Sequence, residues 1–149
     1  MRLSLSVLTK LGIIAVIIAV GSAAMAQDNR IVIHLIDGRN GKPISNEHLL
    51  VFQGASTEDI KEHRSHLDLQ TDANGIAFLP ADAMPQIQVW PDWYKICRSA
   101  SSNSIFSLEE IKKNGAATPN SCGSTTMKLV PNHFYIFARP LSFWEKMRL

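Results

Sequence analysis

From Arg30 onward the chain is written in short hydrophobic runs with a period of two, each closed by turn-forming residues. A chain punctuated in this way buries its apolar side chains by pairing strands into sheets. The run IVIHLI, residues 31–36, is apolar and β-branched and leads into DGRNGKP at 37–43. In EHLLVFQG (47–54), Leu50 and Phe52 share one face and Leu49 and Val51 the other, as in a central strand covered on both sides. RSHLDLQT (64–71) sets Leu67 and Leu69 against the core and His66, Asp68 and Gln70 toward water. Ile76 and Phe78 are expected to continue that buried face after the intervening turn. QIQVW (86–90) alternates through Ile87 and Val89 and is closed at both ends by Pro85 and Pro91. Further strands are expected around 94–98 and 125–130, and HFYIFAR (133–139) reads as the last long one. The count is about seven, which gives the fold class: all-β, an antiparallel β-sandwich.

Two segments depart from this rhythm. Residues 55–63 lack a strand pattern and read as an exposed connection or a single helical turn. In FSLEEIKKNG (106–115), Ser107 and Glu110 have the spacing of a capping box, and Phe106 and Ile111 that of a hydrophobic staple. Gly115 follows Lys112 and Lys113 where a helix would stop. One short helix is therefore expected near 108–114.

The first 26 residues read as an address rather than as fold. Arg2 and Lys10 precede the apolar run LGIIAVIIAV (11–20), and Ala24-Met25-Ala26 is a small-x-small cleavage pattern, so the exported chain is expected to start at Gln27. The apolar run is shorter than the roughly 20 residues a membrane span requires, and no Cys follows it for a lipid anchor. Removing 26 residues from 149 leaves 123, enough for one domain with one core. Without Arg2 and Lys10 the 15 basic residues become 13 against 13 acidic, so net charge suggests neither nucleic acid nor an anionic surface as partner. Both cysteines, Cys97 and Cys122, lie in the exported part, where pairing is the natural expectation. Two buried thiols, or a metal site completed by His, are the alternatives. The expected helix falls between the cysteines, in an insertion of about 97–122.

TDANG (71–75) looks at first like a calcium loop, but the spacing fails. Counted from Asp72, Gly75 comes fourth rather than sixth, and Ala77 and Ala83 stand where Gly and Glu are needed. Asp72 at the first place of a type I turn and Gly75 at the fourth instead predict a hairpin between Leu69 and Ile76.

The order strand, DGRNGKPI, strand, TDANGIAFL resembles transthyretin-like, carboxypeptidase regulatory-like domains over roughly residues 30–95. The resemblance implies a Greek-key sandwich, exported and non-catalytic. The segment beyond Cys97 departs from that module. Relatives that are enzymes supply the contrary reading, a hydrolase or a metal-dependent enzyme on the same sandwich. Against it, the chain ends in WEKMRL rather than the Tyr-Arg-Gly-Ser of 5-hydroxyisourate hydrolases, and Tyr94 and Tyr135 are the only tyrosines for an intradiol dioxygenase iron.

No catalytic residue, metal site or cofactor is assigned from the sequence. There is no Gly-x-Ser-x-Gly elbow. His63 and His66 are three apart, which in a strand means opposite faces; His34, His48 and His133 complete the histidines. Trp90, Trp93 and Tyr94, in VWPDWYK, are the candidate contacts for a ligand or partner. The competing expectation is that the helix between the cysteines folds back over them. The tail LSFWEKMRL (141–149) spaces Phe143, Trp144 and Met147 as on a helix and is expected to dock on its own sandwich. The reading is thus a secreted or periplasmic binding or assembly module, with an exported protein or an envelope polysaccharide as partner and no transmembrane span after cleavage.

Overall fold

The computed structural model describes residues 30–98 and 104–148. The leader expected at 1–26 lies outside these residues. Among the described residues no helix is long and apolar enough to cross a membrane.

Among the described residues, nine strands form two sheets. Seven have three or more residues: β1 (Ile31–Asp37), β2 (His48–Gly54), β3 (His66–Gln70), β4 (Ile76–Leu79), β5 (Gln86–Pro91), β6 (Tyr94–Ile96) and β9 (His133–Pro140). Two are only pairs, β7 (Phe106–Ser107) and β8 (Ala116–Ala117). One sheet has the order β4-β1-β9-β6, with β8 also on β9; the other has the order β3-β2-β5-β7. Between them lie Ile31, Ile33, Leu35, Leu49, Val51, Leu79, Ile87, Phe134 and Ile136, all buried in one cluster. The all-β architecture follows from the period-two runs, because alternate side chains of each run reach that cluster.

The sandwich is not wholly antiparallel. β1 and β9 run parallel, Val32 beside His133 through Asp37 beside Ala138, and β8 also joins β9 in parallel. With β1 on one edge of β9 and β8 and β6 end to end on the other, neither edge is left for 125–130. That segment accordingly forms no strand, and residues 126–130 are exposed. Asn120 holds its start instead, its Nδ2 donating to the carbonyls of Gly38 and Thr125.

Two loops place the strands. After β1, the Asp37 carboxylate receives the backbone N–H of Arg39 and its guanidinium at 2.7–3.0 Å, and this partner holds the carboxyl below its ordinary range. At the second loop the turn is present but the hairpin is not. Asp72 Oδ1 accepts from Asn74 and Ile76 N–H, and Gly75 has φ +72. However, β3 pairs with β2 in one sheet while β4 pairs with β1 in the other. Gly75 makes this corner possible: a Cβ there would stand 2.8 Å from the Leu35 carbonyl oxygen. Crossing to the opposite sheet reverses which side is inside. In β4, Ala77 and Leu79 are buried opposite Ile33 and Ile31, and Phe78, expected inside, is exposed with Arg30 over its ring.

Among the described residues three helices decorate the sheets: α1 (Thr57–Lys61), α2 (Leu108–Asn114) and α3 (Phe143–Lys146). α2 appears where expected and stops at Gly115, φ +74, but Ser107 makes no side-chain cap. Ser107 is held in β7 against Gln86, and the first helical N–H, Leu108, donates to the Pro85 carbonyl instead. Glu110 accepts from Asn114 rather than reaching back.

Candidate functional site

The outer face of the four-stranded sheet carries the aromatic surface. Its rows follow from the register: His66, Phe52 and Gln88 lie side by side, as do Asp68, Leu50 and Trp90. Phe52 is buried, although it points away from the core, because rings close over it. His63 stacks on it at 4.1 Å, and Trp90 and His66 meet it edge-on at 5.4 and 6.2 Å. Trp90 also meets His63 edge-on at 5.5 Å and remains 43% exposed. The result is an upright indole, braced on one side and open on the other.

His63 and His66 therefore gather around one ring, where strand parity places them on opposite faces. Parity does not apply because His63 precedes β3. It sits just after α1 in the left-handed region, φ +51, which turns its ring back onto Phe52. His is among the non-glycine residues enriched in that conformation, but it does not require it, so the residue type alone does not announce the turn.

Polar groups border the aromatic cluster. His48 lies between two carboxylates, Nδ1 2.8 Å from Asp92 and Nε2 3.3 Å from Asp68, and His66 Nε2 is 3.8 Å from Asp68. Gln88 Nε2 donates to Ser104 Oγ. Hydrogen-bonding side chains thus sit beside an exposed ring on an open, gently twisted surface.

The three candidate contacts separate. Trp90 belongs to this face. Tyr94 begins β6 in the other sheet and packs against the main core. Trp93 lies at the corner between, exposed, its backbone N–H donating to Glu47 Oε1 at 2.6 Å. Burial raises the Glu47 carboxyl, and the bonds from Trp93 and Asp92 N–H oppose that rise. The expectation that α2 covers the tryptophans is overturned. Its buried residues, Leu108 and Ile111, join the core between the sheets, while Trp90 and Trp93 stay exposed.

On the opposite outer face, His34 Nε2 and His133 Nδ1 are 2.7 Å apart, and the His34 ring stacks on Tyr135. Burial, then the charge of His133, lowers the pKa of His34. Beside them Ile36, Tyr135, Phe137 and Cys97 form a second apolar cluster, with Cys122 packed against it. Cys97 and Cys122 are at disulfide distance, 2.07 Å between sulfurs. Among the described residues no three His, Cys, Asp or Glu side chains are grouped to hold a metal. Open clefts elsewhere include one of about 350 Å³ along 117–129, bordered by Asn120, Thr125 and Phe137.

Comparison with known proteins adds no relative: no family model, curated protein or solved structure matches this chain.

Proposed function

We propose that the chain is an exported, non-catalytic binding module of the transthyretin-like type, and that the outer face of its four-stranded sheet grips an envelope polysaccharide. The leader-like sequence of residues 1–26 supports export. The turn at 37–43 and the two facing sheets joined at the Gly75 corner support the family reading.

The observation that carries the function is the braced, exposed Trp90 ring with hydrogen-bonding groups at its border. A pyranose ring has an apolar C–H face and an equatorial fringe of hydroxyls. An indole fits the first, and side chains such as His66, Asp68 and Gln88 the second. Because Phe52 and His63 already fix the indole, little rotamer freedom remains to be lost on binding.

Binding to the insoluble polysaccharide fraction of the cell envelope tests this. Trp90→Ala is expected to reduce retention by at least tenfold while the sandwich stays folded, at some loss of thermal stability because Phe52 is uncovered, and bound glycan is expected to protect Trp90 from acrylamide quenching. Retention unchanged in Trp90→Ala, or a Trp90 quenched equally with and without glycan, would remove the reading.

A further inference from the structure

The C-terminal helix α3 is mounted with its apolar side outward. Phe143, Trp144 and Met147 are 68%, 72% and 66% exposed, and the Phe143 and Trp144 rings meet edge-on at 5.6 Å. A four-residue helix that, with its C-cap Met147, puts three large apolar side chains in water does not hold itself there. Its polar side holds it instead. Arg139 donates two hydrogen bonds to the Glu145 carboxylate, at 2.8 and 2.9 Å, and Lys95 adds a third at 3.1 Å. Ser142 and Glu145 complete a reciprocal capping box. The Leu141 N–H donates to the Trp93 carbonyl where the tail leaves the sheet. The tail thus docks on its own sandwich, as the sequence leads one to expect, but through Glu145 rather than through its aromatic residues.

This mounting has an electrostatic result. Glu145 is the only acid in α3, and it is turned inward onto two cations. The helix and its end keep Lys146 and Arg148, both exposed, next to Trp144 and Met147. Aromatic and thioether side chains flanked by cations, with no outward-facing acidic side chain in α3 or its end among the described residues, match the boundary of an anionic bilayer. There Trp and Phe settle at the level of the headgroups, and Lys and Arg reach the phosphates. A second copy of this chain packed symmetrically on the same patch offers no such charge match, since it would bring the same cations face to face.

We infer that α3 is an interfacial anchor: Phe143, Trp144 and Met147 enter the headgroup region of an anionic lipid bilayer while Lys146 and Arg148 meet its phosphates. The sandwich supplies the orientation, so that no helix need fold at the membrane. A knob this small gives weak, reversible attachment, of the kind that needs both apolar insertion and charge. The site is separate from the Trp90 face and does not depend on glycan binding.

The test uses the full chain carrying W90F and W93F, which leaves Trp144 as the only one of the three tryptophans. It is mixed with vesicles of phosphatidylcholine alone or with phosphatidylglycerol, each containing lipid brominated near the headgroup. With phosphatidylglycerol, Trp144 emission is expected to move to the blue, to be quenched by bromine and to lose its quenching by aqueous iodide. K146E/R148E is expected to weaken this response by at least tenfold at low salt, and F143S/M147S to abolish it without lowering the melting temperature. Since Trp144 itself is the reporter, attachment through residues 11–20 does not mimic the result. Co-sedimentation with Trp144 still open to iodide overturns the inference. An equal response to neutral vesicles that ignores K146E/R148E overturns it too, as does concentration-dependent shielding of Trp144 without lipid, which would indicate self-association.

Discussion

The His34–His133 pair exists as a hydrogen bond only while one ring nitrogen offers a proton and the other a lone pair, so two imidazolium rings cannot make it. With its pKa lowered in the fold, His34 resists a proton that the unfolded chain accepts near the ordinary 6.5. Its contribution is therefore complete above that value and declines as pH falls below it. The melting temperature is expected to drop between pH 7 and pH 5, and to drop less in His34→Gln, which cannot be protonated. Equal pH dependence in the two proteins would show that the pair contributes nothing. At the same scale, sequence marks some positions well and others only weakly. The outward place of Trp90 follows from the alternation of QIQVW, and the turn from Asp72 and Gly75. The His63 conformation that closes the aromatic cluster has only a weak residue-level signature, since His favours the left-handed region without requiring it.

Local patterns locate helices and strands but do not choose their partners. Ser56 and Ser107 illustrate this among the caps. Ser56 Oγ accepts from the Asp59 N–H, and the Asp59 carboxylate accepts from the Ser56 N–H in return. Ser107 has equally good capping spacing, yet it is claimed by β5, and Pro85 takes over the capping. Ser56→Ala is expected to cost about 1 kcal/mol of stability and Ser107→Ala well under half of that, read by denaturant midpoint. A similar loss at both sites would restore the capping box at α2. The same logic explains 125–130, whose residues suit a strand but find both edges of β9 occupied. It also explains β4. Ile76 and Phe78 have the right parity for a hairpin, and a hairpin and a corner to the other sheet can begin with the same hydrogen-bonded turn.

Across the whole molecule, the link between Cys97 and Cys122 ties the end of β6 to the segment lying over the outer cluster. It closes a loop with a sequence separation of 25 that contains α2. Such a crosslink restricts the unfolded chain by roughly 3 kcal/mol in the entropy model. Reduction should lower stability by an amount of that order, and intact mass should fall by two hydrogens relative to the reduced protein; two free thiols in the isolated protein would refute the link. The all-β class and the core were legible because burial imposes a two-residue period on every paired run. The mixed topology was not, because parallel pairing is decided between segments far apart in the chain. That pairing also governs the order of folding. His34 and His133 are neighbours on β1 and β9 although 99 positions separate them. β9 is the middle strand of its sheet, so β4-β1 and β6 have nothing between them until nearly all of the described chain is available. The sheet β4-β1-β9-β6 would thus remain open until β9 is available, slow to close as long-range pairings are, while β3-β2-β5-β7 can pair without it.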